Sequence, residues 1–135
     1  MLIVSVGALG HASVEASARL ADHGVTSVVV DPRWVIPAPI GVVELARGRR
    51  LVAVVEDNVR TGGVGTAIAQ LLRDNGVDTP VLELGIPREF LDHCSRGELL
   101  SQIGLTGQAL ARQIVEAIAG REPALEDTPS ARERG

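Results

Sequence analysis

Apolar residues gather in four short runs, at residues 2–6, 25–30, 51–55 and 81–84, and the stretches between them carry apolar residues at helical spacing. Runs that are apolar throughout, instead of alternating, belong to strands buried on both faces. Helical spacing is read over residues 11–23, with Val14, Ala18 and Ala21 on the inner face and Gly24 as the C-terminal glycine. Residues 40–47 predict a short helix. A helix opening at Gly62-Gly63-Val64-Gly65 carries Val64, Ile68, Leu71 and Leu72 on one face and stops at Asn75-Gly76. Ser95 and Glu98 have capping-box spacing and open a short helix running to Gly104. Thr106 caps the last helix, which turns Leu110, Ile114, Ala117 and Ile118 inward and ends at Gly120. Strands alternating with helices predict an α/β fold with a mostly parallel sheet and helices on both sides.

Two segments stand outside this pattern. Residues 31–39 hold three prolines, which remove backbone donors and exclude a regular helix or a central strand. Residues 121–135 mix Pro, Ser and both signs of charge with little apolar content and are expected to be disordered. The organisation expected is therefore one domain over residues 1–120 and a tail over 121–135, without internal repeats.

Composition narrows the function classes. The chain has 135 residues and is 45% hydrophobic, enough for one domain burying roughly two-thirds of its unfolded surface. Trp34 and Phe90 are its only aromatic residues, so aliphatic side chains must fill the core. The net charge is −4 and all thirteen basic residues are Arg. With neither a basic stripe nor stacking aromatics, nucleic-acid binding is not expected. Arg47, Arg49 and Arg50 read as a solvated helix end. The first apolar run is too short to span a membrane and lacks a basic flank. Cys94 excludes an internal disulfide and suits a reducing cytosol. It could pair with His93 as a nucleophile, but a small packed residue is the simpler reading. One Cys and three His, at positions 11, 23 and 93, assemble no metal site.

Four places could carry chemistry. The Gly62, Gly63 and Gly65 loop follows a strand and opens a helix, so its amides could cradle an anion. It has neither the P-loop ending nor the dinucleotide fingerprint, and a tight turn allowing close packing is the competing reading. Gly7-Ala8-Leu9-Gly10 with Asp31 resembles a weakened nucleotide-binding turn that lacks one glycine. Glu56 and Asp57 are consecutive, so they point in opposite directions and make a poor acid–base pair. A carboxylate capping the following loop, or meeting an Arg across an interface, suits them better. His11, at a helix start, is the fourth.

Taken together, several segments resemble the third domain of the 1-deoxy-D-xylulose-5-phosphate synthase family. They are Val4-Ser5-Val6-Gly7; Val29 to Pro37, with Asp31-Pro32-Arg33-Trp34 at its centre; Val55-Glu56-Asp57-Asn58 with Gly62-Gly63-Val64-Gly65; Gly85-Ile86-Pro87; Phe90-Leu91-Asp92-His93; and Ile103-Gly104-Leu105-Thr106. One position departs: the family usually has Lys where this chain has Ile36.

The resemblance implies a transketolase C-terminal-like domain, a three-layer fold around a five-stranded sheet with one antiparallel strand. It implies a thiamine-diphosphate- and Mg2+-dependent synthase in which the cofactors are held by the first and second domains and none by this chain. The complete enzyme joins pyruvate to glyceraldehyde 3-phosphate with loss of carbon dioxide, for isoprenoid, thiamine and pyridoxal synthesis. No catalytic residue carries over. The implied partners are the N-terminal and middle domains and a second subunit of a cytoplasmic homodimer. The candidate contacts to them are Glu56, Asp57, Asn58, Gly62, Gly63 and Gly65, with His11, Asp31 and Arg33 behind them. On this reading a bulky residue at Gly63 should block assembly without unfolding the domain.

Met1 directly before the first strand suits a split subunit, a shortened reading frame or a fragment alike. The alternatives are the C-terminal domain of another transketolase-type enzyme or of a 2-oxo-acid dehydrogenase beta subunit, and an autonomous flavodoxin-like ligand-binding module. A docking domain should expose a large apolar patch, and an autonomous one should not.

Overall fold

A computed structural model describes residues 1–89 and 93–121. The runs predicted as strands form β1 (Leu2–Val6), β2 (Val28–Val30), β3 (Val52–Val59) and β4 (Val81–Ile86). They pair in the order β2-β1-β3-β4, every pair parallel. The α/β class and the parallel sheet agree with the sequence pattern. Where the resemblance implied five strands, the described residues hold four. After Ile86 the chain meets Pro87, which cannot donate to a ladder, and its remaining apolar residues recur at helical spacing. Residues 90–92 and 122–135, which include part of one matched motif and nearly all of the expected tail, lie outside the described residues.

Among the described residues five helices flank the sheet: α1 (Gly10–Asp22), α2 (Gly41–Ala46), α3 (Val64–Asp74), α4 (Arg96–Gln102) and α5 (Gly107–Ala119). Alternation along the central strands sends Ile3, Ala53 and Val55 toward α1 and α5, and Leu2, Val4, Val52 and Val54 toward α2 and α3. The result is three layers with an apolar core on each side of the sheet. Central β1 and the apolar part of β3 are buried throughout, as their unbroken apolar runs predict. β2 is an edge strand with partly exposed residues and only half its predicted length. Its neighbour Val25 packs into the core from the turn.

The inner face of α1 differs from expectation. Ser13, Ala16 and Leu20 are buried, whereas Val14 stands in solvent. Small residues fit there because α5 lies close: a Cβ at Gly107 would come within 2.6 Å of Glu15. Arg47 pairs with Glu44 and Arg49 donates to the Leu45 carbonyl, so this cluster closes the end of α2 as a basic helix terminus should.

Both predicted caps are present. The Thr106 hydroxyl accepts from the Ala109 amide, and Ser95 and Glu98 form a reciprocal box. The Glu98 carboxyl accepts from the Ser95 amide and hydroxyl, which holds its pKa below the ordinary value. A carboxyl with a lowered folded-state pKa contributes stability above its unfolded value and loses it as pH falls through the folded value. Acidification should therefore lower the amide-exchange protection factors in the first turn of α4. Those of α5, capped by a hydroxyl that does not titrate, should hold at the same pH.

Candidate functional site

In an all-parallel sheet every carboxyl end lies on one edge, and ligands or partners meet α/β folds along that edge. Here β1 feeds β2 on one side and the chain then returns to place β3 on the other, so the strand order reverses between β1 and β3. The loops following all four strands converge on this edge. These loops, the last part of β3 and the starts of α1 and α3 carry the candidate contact residues from the sequence.

Glu56 sits near the end of β3 with its side chain fully buried. Following the alternation of Val52 and Val54, it points toward α3. Its Oε2 accepts from the Val64 amide at 2.8 Å and its Oε1 from the Gly65 amide at 3.1 Å. The carboxylate thus occupies the positive end of the α3 dipole and binds two amides that have no partner within the helix. Gly63 makes room for it: a Cβ there would lie 2.5 and 2.6 Å from the two carboxylate oxygens. At Gly65 a Cβ would come within 2.9 Å of Glu83 Cγ. Gly62 serves differently, taking φ +73° with open space around it, so it supplies the turn.

Asp57 points to the opposite face and pairs with Arg96 at the start of α4, 2.6 Å from Nη2 to Oδ2. Adjacent acids on one strand therefore hold helix starts on both faces of the sheet. Between Val55↔Leu84 and Val59↔Ile86 the β3–β4 register slips. Gly85 fits beside this irregularity, where a Cβ would come within 2.9 Å of the Asn58 carbonyl oxygen. Asn58 itself is exposed.

The loop therefore agrees with the tight-turn reading at Gly62 and with the expected carboxylate cap from the end of the strand. Its Val64 and Gly65 amides hold an anion, but that anion is Glu56 of the same chain. The expectation that a bulky residue at Gly63 would spare the fold is corrected by the same geometry, since the space is already filled by a buried carboxylate. His11, Asp31 and Arg33 are exposed at the same edge, and no hydrogen bond or ion pair joins them to Glu56 or Asp57. Cys94, expected to be packed, is exposed in the turn before α4. Among the described residues no three His, Cys, Asp or Glu side chains cluster as a metal site, and no helix is long and apolar enough to cross a membrane.

The sequence reading missed the most exposed apolar side chains as contacts. Trp34 is 73% exposed, Ile36 86% and Ile40 65%, all in the 31–40 loop after β2. They surround Pro37 and Pro39 along a shallow apolar depression. Val59, at the carboxyl end of β3, is exposed on the same edge. The available signal was a proline-broken segment that nevertheless keeps large apolar residues, since such a segment cannot bury them in a sheet.

The family model for the transketolase C-terminal domain matches residues 1–110. A 1-deoxy-D-xylulose-5-phosphate synthase from Frankia casuarinae is 50% identical over 130 residues, which cover 96% of this chain and 20% of that protein. The 1-deoxy-D-xylulose-5-phosphate synthase 2 of Kitasatospora griseola is 54% identical over 121 residues, 90% of this chain and 19% of that one. The chain thus spans about a fifth of the length of these curated relatives. Among solved structures, a split-gene transketolase described as an inactive beta4 tetramer superposes with TM-score 0.79 at 26% identity, covering 87% of this chain and 39% of that one. A transketolase mutant from Pichia stipitis shares the fold with TM-score 0.60 at 16% identity, over 88% of this chain and 16% of its own.

Proposed function

The chain belongs to the transketolase C-terminal domain family, and from that premise we propose that it is the non-catalytic C-terminal domain of a 1-deoxy-D-xylulose-5-phosphate synthase, docking through the carboxyl edge of its sheet. The observation that carries the reading is the apolar 31–40 loop. Trp34, Ile36 and Ile40 stand in solvent on a domain whose two cores are otherwise closed, and such surfaces mark interaction sites. The partners proposed are the preceding domains of the synthase, in the same or a separate chain, within a cytoplasmic homodimer. Glu56 and Asp57 shape the loops of that edge, and Arg33 and Asp31 lie beside the apolar group as polar rim contacts.

The assembled enzyme would condense pyruvate with glyceraldehyde 3-phosphate for isoprenoid precursor synthesis. Thiamine diphosphate, with Mg2+ on its diphosphate, would supply the carbanion chemistry from the other domains. The described residues of this chain do not fit that cofactor. Glu56, the buried acid of this edge, is committed to the α3 amides, and Asp57 to Arg96. No step of the reaction is assigned to this domain.

Native mass spectrometry of the untagged protein purified from its own source tests the proposal. The domain is expected within a synthase-length polypeptide, or as a 14.1 kDa chain bound to a longer subunit that lacks it. A free monomer or a homodimer with no longer partner would overturn the reading.

A further inference from the structure

We propose that the 31–40 loop is received by an apolar segment of the preceding synthase domains that carries one carboxylate, and that this carboxylate pairs with Arg33. The inference rests on the docking proposed above and adds the chemistry of the partner. Arg33 is the one charged residue lining the apolar depression around Trp34, Ile36, Pro37, Pro39 and Ile40. Among the described residues no hydrogen bond or ion pair holds it, whereas Arg96 on the same edge is held by Asp57. A solvated cation needs no partner, but one covered by docking does, since an unpaired charge in an interface core opposes binding. A guanidinium beside apolar and aromatic surface suits a planar carboxylate, which it binds through two parallel N–H donors.

The loop is held in place from below. Val35 packs against the core on the α2 and α3 side, and the Val42 and Val43 amides donate to the Pro39 and Ile40 carbonyls. Arg33 and Trp34 before Val35, and Ile36 after it, are thus presented from a fixed point, so the receiving surface must match them in shape and charge. That surface is placed in the preceding domains because this chain covers only 20% and 19% of its two quoted relatives. A second copy is the poorer occupant. Meeting face to face, two copies would bring two guanidiniums together with no acid in either lining.

The experiment measures the affinity of this chain for the remaining synthase domains, at low and high salt, for the wild type, Arg33→Gln, Arg33→Lys and Trp34→Ala. Arg33→Gln should weaken the complex by about 10–100-fold, the effect of removing a hydrogen bond to a charged group. Arg33→Lys keeps the charge but not the paired donors, and its loss should be intermediate. Added salt should weaken the wild-type complex more than that of Arg33→Gln. Unfolding midpoints of the Arg33 variants should match the wild type, because Arg33 is exposed. If Trp34→Ala weakens the complex and Arg33→Gln does not, docking stands and the carboxylate partner is wrong. If neither weakens it, the docking reading fails and the inference with it. Arg33-dependent self-association of this chain in sedimentation, with no Arg33 effect on the longer partner, would assign the surface to a second copy and overturn the proposal.

Discussion

Gly63→Val is expected to destabilise the domain by about 3–5 kcal/mol, the range for stripping a buried charge of its partner. The new side chain must occupy the space of the Glu56 carboxylate, whose oxygens lie 2.5 and 2.6 Å from the position of its Cβ. A carboxylate at the end of a flexible side chain can usually step aside. Glu56 cannot do so cheaply, because it has no exposed surface and both oxygens are held by amides. Moving it leaves the amides of Val64 and Gly65 unsatisfied and the charge unpaired. Backbone strain plays no part, for Gly63 has φ −82°, open to any residue. Gly62, one position earlier, is the reverse case, with φ +73° and nothing within 4 Å of the point a Cβ would occupy. Gly62→Ala should therefore cost only the left-handed penalty, about 1–2 kcal/mol. Urea midpoints of the two variants give the comparison. Against a typical domain stability of about 5–15 kcal/mol, the Gly63 variant should lose roughly a third to a half of a mid-range stability, and its urea midpoint should fall by a similar fraction. A loss at Gly63 no greater than that at Gly62 would mean that the Glu56 carboxylate yields.

The same residues show how far the sequence could be read. β1 and the apolar part of β3 were legible because a central strand must be apolar on both faces, and that leaves an unbroken run. β2 was overestimated because its apolar residues continue into a turn, where Val25 packs without pairing. The α1 face was misplaced by one position, since packing against α5 favours Ser13 and Ala16 over the larger Val14. Caps at Ser95 and Thr106 were legible because they depend on neighbours three residues away. The Asp57–Arg96 pair joins distant parts of the chain and left no local trace. For Glu56 a carboxylate capping the following loop was legible, from an acid closing an apolar strand and glycines following at a helix start. Whether those glycines admit an external anion or the chain's own carboxylate depends on which face of β3 meets α3, and that is fixed only by the packed sheet.

If the domain docks as proposed, Ile36→Asp, alone or with Trp34→Ala, is expected to weaken its association with the remaining synthase domains by at least about 30-fold, as removing a central interface anchor does. Ile36 and Trp34 are 86% and 73% exposed in the isolated domain, so little folded-state packing is lost, and the change in unfolding free energy should stay within about 0.5 kcal/mol. In the docked state the same positions would be desolvated against an apolar surface. A carboxylate at residue 36 would then be buried without a partner, which is far more costly than losing the contact alone. The asymmetry between folding and association is the diagnostic feature, and it is opposite to that of Gly63→Val, where lost stability brings any loss of assembly with it. Val14→Ser on α1 provides the control, because Val14 is another exposed apolar residue but lies outside the 31–40 loop. Affinity between the separately produced domain and the remainder of the enzyme, measured by calorimetry, should fall for the loop variants and hold for Val14→Ser. Equal affinities across all variants would remove the 31–40 loop from the interface. A parallel loss with Val14→Ser would show that the domain docks through its helical face instead of the carboxyl edge of its sheet.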